Sequence, residues 1–255
     1  MEDIPKKIFI IPYRNREQHK LHFEIYMKHI LEDEDEDSYK IFFVHQNDNR
    51  PFNRGAMKNI GFLVIKDIFP MDYKNITIVF NDIDTLPYKK NLLNYETKKG
   101  VVKHFYGFNF ALGGIVSITA GDFEEIGGFC NSWGWGLEDN LLNKRAIDKN
   151  LTIDRSNFFK ILDPNIIHIN DNIKKILSKQ ETWRYADKDS DSVFDIKNLN
   201  YRISNEFIHV DWFDSKFSAA NETYYSETNR TKIYKDKRFD PNRRSRMNSL
   251  NFFMK

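Results

Sequence analysis

Three short apolar runs, each closing on a polar cluster and separated by helical patterns, constrain this chain more than any other feature. Residues 7–12 (KIFIIP), 39–45 (YKIFFVH) and 75–80 (NITIVF) are rich in β-branched and aromatic side chains and read as buried strands. Between them, residues 16–31 carry Leu21, Ile25, Met27, His29 and Ile30 at roughly helical spacing. Residues 53–68 place Ile60, Leu63, Val64 and Ile68 on one helical face. Strand, helix, strand, helix, strand is the rhythm of βαβ units, and it predicts an α/β fold with a mostly parallel central sheet. Sheets of that kind bind ligands beyond the carboxyl ends of their strands. The polar clusters at 13–16, 46–54 and 81–84 fall at those ends.

Further along, residues 107–140 are rich in Gly, Phe and Trp and read as loops around a site, with a helix starting near Glu138. Residues 165–169 read as another strand, 187–191 as a polar linker, and 198–203 with 206–212 as a closing hairpin. From Lys216 the apolar pattern fades. That stretch holds ten Lys/Arg against four acids, a charge of +6, and reads as a disordered arm or a docking segment that truncation after Phe213 would remove without harm. The expected organisation is one catalytic domain over 1–212 and a basic tail over 213–255. A single cysteine, Cys130, excludes an intrachain disulfide scaffold. No apolar run approaches the ~20 residues that span a bilayer, and the first residues do not read as a signal peptide. The expectation is therefore a cytoplasmic chain without a transmembrane segment. A net charge of +2 gives no reason to expect nucleic acid as a partner.

Several residues at these places carry chemistry. Asp82 and Asp84 follow the third strand at i and i+2, where two carboxylates can share a divalent cation with the phosphates of a ligand. Oxygen ligands of this kind suit Mn2+ or Mg2+, which would stabilise a diphosphate leaving group. Arg14 and Arg16 follow the first strand, and Arg presents a fork of donors suited to phosphate. Phe52 and Arg54 repeat the pairing of aromatic and arginine after the second strand. The segment Trp133-Gly134-Trp135-Gly136-Leu137-Glu138-Asp139 places tryptophans between glycines and before two carboxylates. It reads as flat faces for a sugar beside a hydrogen-bonding group and a general base. His168, on an apolar strand, becomes a metal ligand only if that strand reaches Asp84.

Taken in order, IIPYRNREQH, FNRGAMKNIGF, VFNDIDTLP, ALGGIVSIT, IGGFCNSWGWGLEDNLLNKR and IIHIND resemble the β-1,4-galactosyltransferases of glycosyltransferase family 7 over about residues 7–170. The patterns of that family are IPFRNR, FNRAKLLNVGF, F-x-D-V-D-x-I-P, YFGGVS and NGF…WGWGGEDDD. The resemblance implies a GT-A type nucleotide-sugar-binding fold, a Mn2+ (or Mg2+) cofactor and a UDP-sugar donor. It implies single-displacement, inverting transfer of galactose to a carbohydrate hydroxyl. The UDP-binding half would be about 1–90, and the metal, sugar and acceptor half about 91–212. By the same resemblance, Pro12, Tyr13, Arg14, Arg16, Phe52 and Arg54 would hold UDP. Asp82 would touch the donor and Asp84 would ligate the metal. Trp135, flanked by Gly134 and Gly136, would tip a mobile loop that closes over the donor. Glu138 would bind sugar hydroxyls, and Asp139 would deprotonate the acceptor.

The departures from the family patterns are local. Leu137 stands for a glycine of WGWGGEDDD and Asn140 for its third acid, both near the acceptor. The Met-x-x-His metal motif becomes Asn165-x-x-His168, and the His-x-His of a related branch becomes His168-x-Asn170, so the third ligand is open between Asn165 and Asn170. Ala111, two before the Gly113-Gly114 that matches YFGGVS, stands where Tyr limits space beside the sugar C2 substituent. UDP-GalNAc is therefore expected as a donor beside UDP-galactose. The alternatives are a transferase specific for UDP-GalNAc or UDP-GlcNAc, and an inactive sugar- or UDP-binding module. Retention of both the Asp82/Asp84 and Glu138/Asp139 pairs argues against the latter.

Overall fold

The structure is a computed structural model that describes residues 4–169, 175–187 and 190–226. The chain opens with β1 (Lys7–Tyr13), α1 (Glu17–Ile30), β2 (Tyr39–Gln46), α2 (Arg54–Ile68) and β3 (Thr77–Asn81), the alternation expected from the sequence. The short β4 (Thr85–Pro87) is followed by β5 (Val101–Gly107), β6 (Ile115–Thr119), α3 (Ala120–Glu125) and α4 (Glu138–Asp148). Then come β7 (Thr152–Asp154), β8 (Phe159–Lys160), β9 (Ile166–His168), β10 (Ile176–Ser178) and α5 (Lys179–Asp187). The hairpin β11 (Lys197–Ser204) and β12 (Phe207–Asp214) precedes β13 (Tyr224–Ser226).

The main sheet runs β11-β12-β2-β1-β3-β6-β5-β7, with β8 also paired to β5. Pairs β12–β2, β2–β1, β1–β3, β5–β7 and β5–β8 are parallel. The antiparallel pairs are β11–β12, β3–β6 and β6–β5. The sheet is thus mixed and mostly parallel, in an α/β fold. Every residue of β1 is buried, which explains its unbroken apolar run: helices cover both faces of a parallel sheet. Ile8 and Ile10 enter the core under α2, while Phe9 and Ile11 enter the core under α1. Asn53 caps α2 by accepting from the Ala56 N–H at 2.9 Å. Beyond the cap, α2 is buried almost all round.

Three expectations need correction. Helix α1 buries Phe23, Met27 and Ile30, whereas Leu21 and Ile25 are exposed; the sequence admits two apolar stripes, and the one spaced by four and three wins. Residues 107–140 are not all loop, because β6 and α3 lie among them. The boundary at 212 falls inside β12, and the basic stretch does not begin as a loose arm. Phe213 and Ala219 belong to the core, Phe217 O accepts from Trp133 Nε1 at 2.7 Å, and β13 pairs with β10. Truncation after Phe213 would therefore expose apolar surface. The part of the tail from 227 lies outside the described residues. Among the described residues, no helix is long and apolar enough to cross a membrane.

Candidate active site

The end of β3 and the start of α4 meet around one guanidinium at the start of α2. From the first turn of α2, Arg54 Nη1 donates to Asp82 Oδ2 at 2.9 Å. Its Nε donates to Glu138 Oε1 at 2.6 Å, and its Nη2 to Asp139 Oδ2 at 2.6 Å. Lys58, one turn on, is buried with Nζ 3.1 Å from Asp139 Oδ1 and 3.8 Å from Asp82 Oδ1. Two cations on one helical face thus answer three carboxylates from two other elements.

Glu138 and Asp139 occupy the first turn of α4, where the helix dipole favours negative charge. Leu137 precedes them with φ +77°, a left-handed conformation that costs an L residue about 1 kcal/mol. The glycine of the family pattern would adopt it freely. Burial raises Asp139, but Arg54 and Lys58 outweigh burial and hold it below the usual carboxylate range. For Glu138 burial wins over Arg54 and pushes it up. Glu138 Oε2 is buried with no hydrogen-bond partner among the described residues, so it is ready to meet a ligand hydroxyl. The loop of Ala111 and Gly114 closes this side: Leu112 N–H donates to Asp139 O at 2.9 Å, and Asp82 N–H to Gly114 O at 3.0 Å. A Cβ on Gly113 would lie 2.3 Å from Asp139 Oδ2, and one on Gly114 2.4 Å from Tyr106 O. Both positions need glycine for this close approach.

Asp84 meets Arg16, whose Nη1 lies 2.9 Å from Oδ2. The strand of His168 does reach it. In β9, His168 pairs with Thr85 of β4, and Ile169 N–H donates to Asp84 O at 2.8 Å. Asn165 turns elsewhere, its amide donating to Asp163 Oδ1 at 3.0 Å, and Asn170 lies outside the described residues. No group of three or more His, Cys, Asp or Glu is gathered for a metal among the described residues. Asp84 and His168 offer one carboxylate and one imidazole, and Asp82 Oδ1 is buried without a hydrogen-bond partner among the described residues. This donor set fits a hard divalent cation as a partial site completed by oxygens of a ligand.

The other candidates separate. Pro12 is buried at the end of β1, and the Tyr13 ring packs edge-on against Phe43, His45 and Phe207, so it serves the core. Arg14 binds Asp48 O at 2.6 Å and Arg50 O, tying the loop after β1 to the loop after β2. Phe52 packs half-buried against the core beneath α2. The two tryptophans differ. Trp133 is buried and stacked on Phe213 at 5.4 Å, a core residue and not a sugar platform. Trp135 is half-exposed, with Lys175 4.1 Å over its ring and its backbone N–H donating to Ile176 O at 2.6 Å. Gly136 leads from it into Leu137. Sequence reasoning missed Lys58 and His104. The His104 imidazole is buried between Tyr106 O and Gly113 O, each at 3.1 Å, and burial together with Arg155 lowers it to about 4. The available signal for Lys58 was its i+4 spacing from Arg54.

The model for the N-terminal region of glycosyl transferase group 7 matches residues 4–96, and that for the N-terminal domain of galactosyltransferase matches residues 101–170. The chain belongs to glycosyltransferase family 7. Among its relatives, a Caenorhabditis elegans xylosylprotein 4-beta-galactosyltransferase is 31% identical over 59% of this chain and 53% of its own length. A mouse beta-1,4-galactosyltransferase 1 is 32% identical over 60% and 40%. The Drosophila melanogaster beta-1,4-galactosyltransferase 7 is 27% identical over 78% and 64%. The chain thus spans about half the length of these family 7 relatives. The crystal structure of the Drosophila beta1,4-galactosyltransferase 7 catalytic domain with xylobiose matches with a TM-score of 0.66, at 22% identity over 85% of this chain and 97% of that one. A mutant of the Drosophila enzyme in complex with manganese, UDP-Gal and xylobiose matches at 0.61 and 19% identity over the same shares. The family 7 chain described here therefore has the GT-A type fold.

Proposed function

We propose that the chain transfers galactose from UDP-galactose to a carbohydrate hydroxyl, with inversion and with a divalent cation. The observation that carries this reading is the convergence of Asp82, Glu138 and Asp139 on Arg54, with Asp84 and His168 beside them. The names of the family 7 relatives support galactose as the sugar and a glycan as the acceptor.

Arg16 and Arg54 bind the donor phosphates, leaving the carboxylates they hold in the ligand-free chain. A cation held by Asp84 and His168 would neutralise charge on the departing diphosphate. Glu138 Oε2 accepts a hydrogen bond from a sugar hydroxyl and fixes the ring. The acceptor oxygen attacks the anomeric carbon as the bond to the diphosphate oxygen breaks. The acceptor proton passes to Asp139, and UDP leaves. One displacement inverts the anomeric centre.

The direct test is UDP release from UDP-galactose with simple glycosides as acceptors, with Mn2+ and with chelator. Asp84→Ala is expected to abolish turnover, and His168→Ala to weaken Mn2+ affinity by roughly 10–100-fold. Full activity of wild type in chelator would refute the cation's part.

Donor choice gives a second test. Ala111 is buried, while Phe108 and Phe110 stack on each other at 5.2 Å with Phe108 half-exposed. The ground for room beside the sugar C2 substituent is the single methyl of Ala111 where the family pattern has a Tyr ring. UDP-GalNAc is expected within about a hundredfold of UDP-galactose in kcat/KM, roughly 2.7 kcal/mol, and Ala111→Tyr should selectively remove it. Stronger discrimination by wild type would rule out the open pocket.

A further inference from the structure

Arg54 and Lys58 are not equivalent partners of Asp139. Arg54 is shared among three carboxylates, whereas among the described residues the hydrogen bond of Lys58 is to Asp139 alone. The two cations also divide the carboxylate. Lys58 takes Oδ1, and Arg54 takes Oδ2, the oxygen that lies against Gly113. A buried ammonium is costly unless paired. Lys58 is 1% exposed, with its Nζ also 4.6 Å over the Phe129 ring. Aligned on Phe52-Asn53-Arg54, the pattern FNRAKLLNVGF carries Leu where this chain has Lys58, so the contact is not part of that motif.

We propose that Lys58 is a positioning residue of the transfer reaction, holding Asp139 by Oδ1 so that Oδ2 is free for the acceptor proton once Arg54 turns to the donor phosphates. The role rests on the transferase reading above. Its logic is electrostatic. Burial drives a carboxylate toward its protonated form, and a protonated Asp139 cannot accept a proton. When Arg54 leaves, a second cation must stay. Among the described residues, the charged and titratable groups facing Asp139 are Arg54 and Lys58 from α2, Glu138 from α4 and His104 from β5, and Asp82 beyond β3 shares Arg54 and Lys58 with it. His104, near 4, is neutral over the working range. Glu138 and Asp82 bring negative charge or none. Lys58 is left to keep Asp139 ionised.

The test is a carbon-13 titration of the Asp139 carboxyl, assigned with Asp139→Asn, in ligand-free wild type, Lys58→Met and Lys58→Arg. The pH profile of kcat/KM is measured beside it. Lys58→Met is expected to move the Asp139 titration up by about one pH unit or more, the low end of what a close opposite charge does to a carboxylate. The acid limb of kcat/KM should move the same way, with about a tenfold loss at a pH on that limb. Lys58→Arg should restore both in part. A Lys58→Met protein with native circular dichroism and an unmoved Asp139 titration overturns the proposal, as does a moved titration with an unmoved acid limb. If Lys58→Met does not fold, Lys58→Gln is read in the same way. Absence of transfer by wild type with every UDP-hexose would refute the transferase reading instead, while the titration still decides the contact.

Discussion

Asp139→Asn is expected to lower kcat by about 10²–10⁴-fold and to leave UDP affinity near that of wild type. The amide keeps the shape of the carboxylate and its place at the start of α4, but it cannot take the acceptor proton. UDP affinity should survive because Arg16, Arg54 and Asp84 are untouched, and Arg54 is released from one of its three carboxylates. The pH dependence gives a second signature. Arg54 and Lys58 overcome burial and hold Asp139 low, so the base form persists well into acid. The acid limb of kcat/KM in wild type should therefore lie below the ordinary carboxylate range, with activity rising as pH rises through it. In Asp139→Asn that limb should vanish with the rate. Single-turnover rates with UDP binding measured in parallel decide the matter. Equal losses of binding and rate would mean that Asp139 maintains structure rather than accepting a proton.

What could be read from the sequence follows from how each element is buried. Strands β1, β2 and β3 were legible because a sheet covered on both faces demands continuous apolar runs. Asp82, Asp84, Arg16 and Arg54 were legible because each follows directly where a strand stops or a helix begins. Strand β6 was hidden by the glycines and aromatic residues around it, although Ile115–Thr119 is buried throughout. Trp133 and Trp135 could not be told apart, since a single residue, Gly134, separates a side chain stacked in the core from one at the surface. The basic stretch misled because its average charge concealed Phe213 and Ala219, which belong to the core, and Phe217, whose carbonyl accepts from the Trp133 indole. Lys58 was passed over for a related reason, despite its i+4 spacing from Arg54. A lysine in a helical pattern reads as solvated surface, and the carboxylate that holds it lies 81 residues away.

Arg54→Met should show the largest stability effect of any single change at the site. The substitution keeps an unbranched stem and leaves Asp82, Glu138 and Asp139 without their shared partner. Breaking a buried ion pair from one side costs roughly 3–5 kcal/mol, because the remaining charge is uncompensated. Arg54 and Asp82 retain 18% exposure and Lys58 still serves Asp139, so about 3 kcal/mol is the expected loss. For a domain of this size that lowers Tm by about 6–12 °C. The sign with pH follows from the carboxylates. Without Arg54, Glu138, already pushed up by burial, loses the cation that opposes burial and rises further above its unfolded value, while Lys58 still holds Asp139. The deficit should then be small below the unfolded pKa, grow as pH rises toward the raised folded value, and level off above it. Wild type behaves oppositely at Asp139: its folded pKa is lowered, so the stability it contributes is present above the unfolded pKa and lost as pH falls through the folded one. Urea denaturation of both proteins at about pH 5 and pH 8 reads the difference. A deficit equal at the two pH values would mean that the loss is one of packing, and that Arg54 is not the electrostatic centre of the site.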